Sequence, residues 1–117
     1  MAKEIPKESM IRYVGLKELE EIDQGVVINL TEEYFPKIQI LLKHIMEIVV
    51  HIKRYDKEGH RSKWSIHIRA QTASHVFEST KAADWELPRT LHKAFKDLET
   101  QIKHRLHSDT SWDKPYE

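Results

Sequence analysis

The chain has 117 residues, 39% of them apolar and 32% charged, with a formal net charge of zero. That is enough apolar material for one hydrophobic core and too little bulk charge for indiscriminate binding to polyanions. No apolar run approaches the roughly 20 residues of a membrane-crossing helix. Cysteine is absent, which removes disulfides, thiolate nucleophiles and cysteine-held zinc. With no apolar segment of the signal-peptide kind in MAKEIPKESM, the expectation is a cytoplasmic protein without membrane contact.

Residues 1–9, charged and containing Pro6, read as a flexible tail. Residues 10–19, MIRYVGLKEL, hold β-branched and aromatic side chains in a short run and predict a first strand. The acidic ELEEIDQG that follows ends at Gly25 and reads as a connection. Val26 to Leu30 suits a strand or the start of a helix. The preferred helix start is Thr31-Glu32-Glu33, where a hydroxyl can cap free amides and carboxylates face the positive end of the dipole, with Pro36 near the first turn. Tyr34, Ile38, Leu41 and Ile45 then mark its core face.

Residues 47–55, EIVVHIKRY, predict a central strand, and Gly59 in DKEGH suits a tight hairpin. In residues 63–71 the alternation is clean. Trp64, Ile66, Ile68 and Ala70 fall on one face, and Ser65, His67, Arg69 and Gln71 on the other, the pattern of a half-buried antiparallel strand. Residues 74–80 predict a further strand with Phe77 inward, after which residues 81–83 lead to Asp84 as a helix cap.

The last helix, predicted over residues 84–107, has two faces. Leu87, Leu91, Phe95, Leu98, Ile102 and Leu106 recur at steps of three and four and define a core stripe. Arg89, Lys93, Lys96, Thr100, Lys103 and His107 recur at the same steps on the opposite arc. Glu86, Asp97 and Glu99 lie to the sides, so repulsion along this basic stripe is only partly relieved, and a polyanion would relieve it better. Pro88 falls in the first turn or just beyond, where a missing N–H costs little. Residues 108–117 form an irregular tail in which Trp112 and Tyr116 are candidates for a partner contact, Trp64 is core, and Trp85 caps one end of the core.

The element order is β-α-β-β-β-α. Two helices each with one apolar stripe, and a sheet with one apolar face, pack most economically as a two-layer α+β sandwich, a four-stranded sheet with both helices on one face. Residues 10–107 would make this single domain. His51, Lys53, His67 and Arg69 project from the open face of the sheet, and His51 and His67 are neighbours there. Such a face is ordinarily solvated. If it is instead buried by self-association, protonation of the histidine pair would weaken the contact. No metal site is expected, because His104 and His107 sit in a basic run and no HExxH or carboxylate-rich cluster completes a ligand set. Nothing resembles a nucleophile elbow, a glycine-rich phosphate loop or a paired-carboxylate site, so neither an enzyme, a cofactor nor a small-molecule substrate is expected.

In this order of elements, the strand pair MEIVVHIKRYDKEGHRSKWSIHIRA, the following HVFESTKAAD and above all LHKAFKDLETQIKHR resemble the ribosome hibernation-promoting factors, also called ribosome-associated inhibitors. The likeness covers about residues 10–107. That family has a β-α-β-β-β-α domain, like the double-stranded-RNA-binding domain, whose last helix carries Leu-Glu-x-Gln-Leu followed by basic residues. Here Leu98, Glu99, Gln101 and Ile102 fill the pattern, followed by Lys103, His104 and Arg105. The family's long form has an added dimerisation domain, and this chain resembles the short form.

The resemblance implies binding to rRNA of the small ribosomal subunit, in the channel of messenger and transfer RNA, and inhibition of translation by steric occlusion in stress. Carried over to this chain, the contacts are Lys93, Lys96, Lys103 and Arg105 on the second helix and Lys37 and Lys43 on the first, beside Arg89 and His107 of the basic stripe. The chain departs from the family in a less basic first helix, in Pro36, and in the acidic residues 18–33. The alternative is a homodimeric interaction or adaptor module without RNA binding, its contact being the open sheet face.

Overall fold

The computed structural model describes the backbone of residues 10–56 and 62–110, with side chains over 10–55 and 62–106. Strand β1 (Ile11–Val14) is followed by a short 3-10 turn at Leu16–Glu18, helix α1 (Glu21–Leu41), strands β2 (Ile45–Asp56), β3 (Ser62–Thr72) and β4 (Val76–Asp84), and helix α2 (Leu87–Thr110). The sheet order is β1-β2-β3-β4. β1 lies parallel to β2, as it must when a helix carries the chain back across the sheet. The two remaining pairs are antiparallel. The expected α+β order is therefore the observed one.

Alternation sets the covered face. Val50, Ile52, Trp64, Ile66, Ile68, Ala70 and Phe77 are buried, and with Val27, Phe35 and Ile38 of α1 and Leu91, Phe95, Leu98 and Ile102 of α2 they form one apolar cluster. Each large side chain so buried contributes about 1.5–3 kcal/mol before the entropy of ordering is charged against it. A bulge beside Ile66 and Ile68 puts Thr80 and Lys81 against the His67 position while Ser79 and Ala82 stay on the core side. Gly15, at φ 90°, turns the chain out of β1 so close to β2 that a Cβ would run into the Ile52 carbonyl oxygen.

The helices lie side by side and run in the same direction. Near the start of the contact Tyr34 stacks on Phe95 at 4.8 Å between ring centroids. Tyr34 Oη also meets His92 Nδ1 at 2.7 Å, in a sense set by the imidazole tautomer. Further along both helices, Lys37 and Leu41 of α1 and Glu99 and Lys103 of α2 line one groove.

Several expectations are corrected. The first strand is only Ile11–Val14, because Gly15 breaks it. Residues 18–25 are not a connection: α1 begins at Glu21, so Thr31 is a buried mid-helix residue and no cap, and Pro36 sits well inside the helix. Ile45 opens β2 and is not helical. β4 starts at Val76 and continues through residues 81–83, which makes Asp84 its last residue. α2 starts at Leu87, with the Glu86 carbonyl accepting the first helical N–H, from Thr90. Trp85 is 40% exposed and is not part of the apolar core cluster. Gly59, Trp112 and Tyr116 lie outside the described residues.

Candidate nucleic-acid interface

The apolar stripe of α2 faces the sheet, so Arg89, Lys93, Lys96, Thr100 and Lys103 are exposed along the opposite side. The stripe divides into two parts. At its head, Lys93 Nζ lies 2.7 Å from Asp84 Oδ2, and Arg89 lies 3.6 Å from Asp84 Oδ1 and 2.9 Å from Glu86 Oε1. Asp84 Oδ1 also accepts from the Trp85 N–H at 2.6 Å. The Lys93 hydrogen bond, then that of Trp85, hold the Asp84 carboxyl below its ordinary value. Asp84 thus joins the end of β4 to the first turns of α2, and the charges of Arg89 and Lys93 are matched at home.

The tail of the stripe is not matched. Among the described residues no ion pair involves Lys96 or Lys103. Lys37 of α1 shares this side of the molecule, its Nζ 4.9 Å from the centroid of the Tyr34 ring. Because Lys37 and Leu41 are four apart on one helix, and Glu99 and Lys103 four apart on its parallel neighbour, the four line one groove. The groove measures about 250 Å³, with Ile40, 80% exposed, as its outer apolar wall. Glu99 Oε2 is buried there without a hydrogen-bond partner. Burial first, then the Glu99 and Glu33 charges, push the neighbouring Tyr34 phenol above its ordinary value.

Lys43, expected on α1, lies beyond its end in the exposed turn to β2, just before His44 at φ 62°. Arg105, implied by the resemblance alone, lies off the stripe. Two residues from Lys103 on a helix means about 200° of rotation, and its Nη1 donates to the Val76 carbonyl at 3.1 Å while the guanidinium covers the Phe77 ring at 5.3 Å. It belongs to the edge of β4. The side chain of His107 lies outside the described residues.

On the open face of the sheet His51 and His67 are cross-strand partners, with ring centroids 6.1 Å apart. Partial burial first, then Lys53 and His67, lower the His51 value. Lys53 is exposed nearby, opposite Ser65. Arg69 and Arg12 both approach Glu47, at 3.9 and 3.3 Å. A depression of about 280 Å³ runs between the histidines, Arg69, Glu78 and Thr80. Arg69 has a carboxylate partner beside it in Glu47, unlike Lys96 and Lys103 on α2.

The sequence placed Lys37, Lys96 and Lys103 correctly on the helices but not Lys43, and it missed what lies between them. Glu99 was a motif position and Ile40 was unassigned; their i,i+3 and i,i+4 relation to Lys37, Lys96 and Lys103 was legible, but only the parallel packing of α1 on α2 brings the two sets together. Among the described residues no group of three or more histidines and carboxylates is placed to hold a metal, and no helix is long and apolar enough to cross a membrane. No protein-family model matches the chain, and no curated protein matches it in sequence.

Proposed function

We propose that this protein is a non-enzymatic RNA-binding factor of the small ribosomal subunit, which inhibits translation by occupying rRNA surface, in the manner of the hibernation-promoting factors its sequence resembles. The observation that carries the reading is the segregation of charge on the helical layer: Lys37, Lys96 and Lys103 lie together, exposed and without a paired carboxylate among the described residues, while Arg89 and Lys93 are held by Asp84 and Glu86. Unpaired lysines in one patch gain most from phosphate, because neutralising it releases condensed counterions. A chain of zero net charge then binds through a local patch and not through its overall field.

The test is co-sedimentation with purified small subunits at low and high salt, for wild type and for Lys37→Glu/Lys96→Glu/Lys103→Glu. Lys93 is left intact because reversing its charge beside Asp84 would disturb the start of α2. Three phosphate contacts predict a loss of roughly 30-fold in affinity between 50 and 200 mM salt, and the variant should stay in the supernatant. If wild type sediments at neither salt, the reading falls, and the His51–His67 face becomes the surface to examine as a self-association site. If the variant sediments as wild type does, the basic patch is not the contact.

A further inference from the structure

We infer that the open face of the sheet is a second RNA contact, which stacks the bases of an unpaired strand on His51, His67, Tyr55 and Trp85 while Lys53, Lys63 and Lys81 hold its phosphates. This rests on the proposed RNA-binding reading and adds to it a surface on the side of the sheet away from the helices. The face is divided by charge along its strands. At one end Glu47, opposite Gln71, lies near Arg12 and Arg69, and Glu78 is the β4 partner of Arg69. Toward the other end the cations stand without carboxylates. Lys53 lies opposite Ser65 and Lys63 opposite Tyr55, and the bulge in β4 sets Lys81 beside His67. Among the described side chains no ion pair involves Lys53, Lys63 or Lys81.

The aromatic rings share the basic half. Tyr55 is 47% exposed and Trp85 40%. Lys63 Nζ lies 5.9 Å from the centroid of the Trp85 ring, so Lys63 stands between Tyr55 on β2 and Trp85 just beyond the end of β4. The half-buried His51 and His67 rings follow on the two central strands, beside the depression of about 280 Å³. Rings at the surface interleaved with unpaired ammonium groups suit a ligand that repeats a flat apolar surface and a negative charge. A single strand of RNA does so, its unstacked bases meeting the rings and its phosphates the lysines. An acidic peptide brings the charge without the flat surface, and a duplex keeps its bases stacked on one another and out of reach. From His51 to Tyr55 is four residues of strand, about 13 Å, a span for two or three bases. The helical lysines lie across the sheet, so both contacts are made at once.

Fluorescence anisotropy compares a short single-stranded RNA of mixed sequence with an abasic ribose-phosphate strand of the same length, for wild type and for Tyr55→Ala/His67→Ala. Both side chains stand on the open face, and circular dichroism checks the fold of the variant. Wild type is expected to bind the intact strand about tenfold more tightly than the abasic one, and the variant to lose most of that advantage. Tryptophan emission gives a second readout. The intact strand should quench wild type more than Trp85→Phe, which keeps a ring for stacking and loses the reporter. Equal quenching of the two overturns the place of Trp85 on this face. Equal, salt-sensitive binding of both strands by wild type, or an advantage that the variant keeps in full, overturns the stacking face and leaves the phosphate contacts of the helices intact. No binding of either strand overturns both readings.

Discussion

The two helices share one layer and one core, yet they are built differently. In α2 the buried Leu91, Phe95, Leu98 and Ile102 fall on one arc and the charges on the other, and its start is fastened to β4 through Asp84. In α1 the buried Val27, Tyr34, Phe35 and Ile38 coexist with Ile22 and Ile40, each 80% exposed, and the helix carries Gly25 and Pro36 inside it. Its N-cap, Glu20, makes no side-chain capping bond. α2 is a helix by its own periodicity; α1 is a helix because a parallel β1–β2 pair needs a crossover and the sheet offers an apolar surface to cover. Pro36 is tolerated where it and Glu32 both face solvent, so that water can serve the Glu32 carbonyl that loses its amide.

If the two helices depend on one core, the largest effect should come from the residue they share. Phe95 is fully buried and stacked on Tyr34. Phe95→Ala is expected to cost about 3–5 kcal/mol, measured by urea unfolding of variant and wild type. Both helices should be lost in one transition. A cost below about 1 kcal/mol, or separate transitions for helix and sheet signals, would show that α1 and α2 do not rest on a common core.

The contrast also explains what the sequence made legible. β3 and α2 were readable because Trp64, Ile66, Ile68 and Ala70, and then Leu87 to Ile102, keep a single period, and a single period reports one buried face. The start of α1 was misread from its local signals, while its second half, from Thr31, is helical as expected. A glycine and a proline each argue against helix, and the energy that overrides them comes from contacts distant in sequence, such as Tyr34 with His92 and Phe95. The same limit applies to the candidate interface. The exposure of Lys96 and Lys103 followed from periodicity, whereas the pairing of Arg89 and Lys93 with Asp84 depended on β4 running through to residue 84. The displacement of Arg105 to the Val76 carbonyl is an angular fact of the helix that a linear motif does not carry.

A smaller effect, of opposite sign, follows from the local weakness of α1. Gly25 lies within the helix, and a Cβ there would meet nothing within 4 Å. Gly25→Ala removes backbone freedom from the unfolded chain without a steric charge in the folded one, and should stabilise by about 0.5–1 kcal/mol in chemical unfolding. The change tests whether propensity or packing governs α1. A destabilised variant would mean that the helix is not continuous across that position.

The smallest effect is electrostatic and belongs to the start of α2, because Lys93 and Arg89 are about half exposed and solvent screens them. Asp84 titrates below its ordinary value in the folded chain, through Lys93 first and the Trp85 amide second. The folded state therefore holds its proton less tightly than the unfolded state, so the contribution is present above the unfolded carboxylate value and is lost as pH falls below about 4. Asp84→Asn keeps an acceptor for the Trp85 N–H and gives up the charge. Its melting temperature should lie below that of wild type near neutrality, and the gap should close as both are taken through pH 4 toward pH 2.5. A gap that persists at the lowest pH would assign the role of Asp84 to shape and hydrogen bonding at the strand–helix corner, leaving Arg89 and Lys93 electrostatically as uncommitted as Lys96 and Lys103, and available with them to an anionic partner.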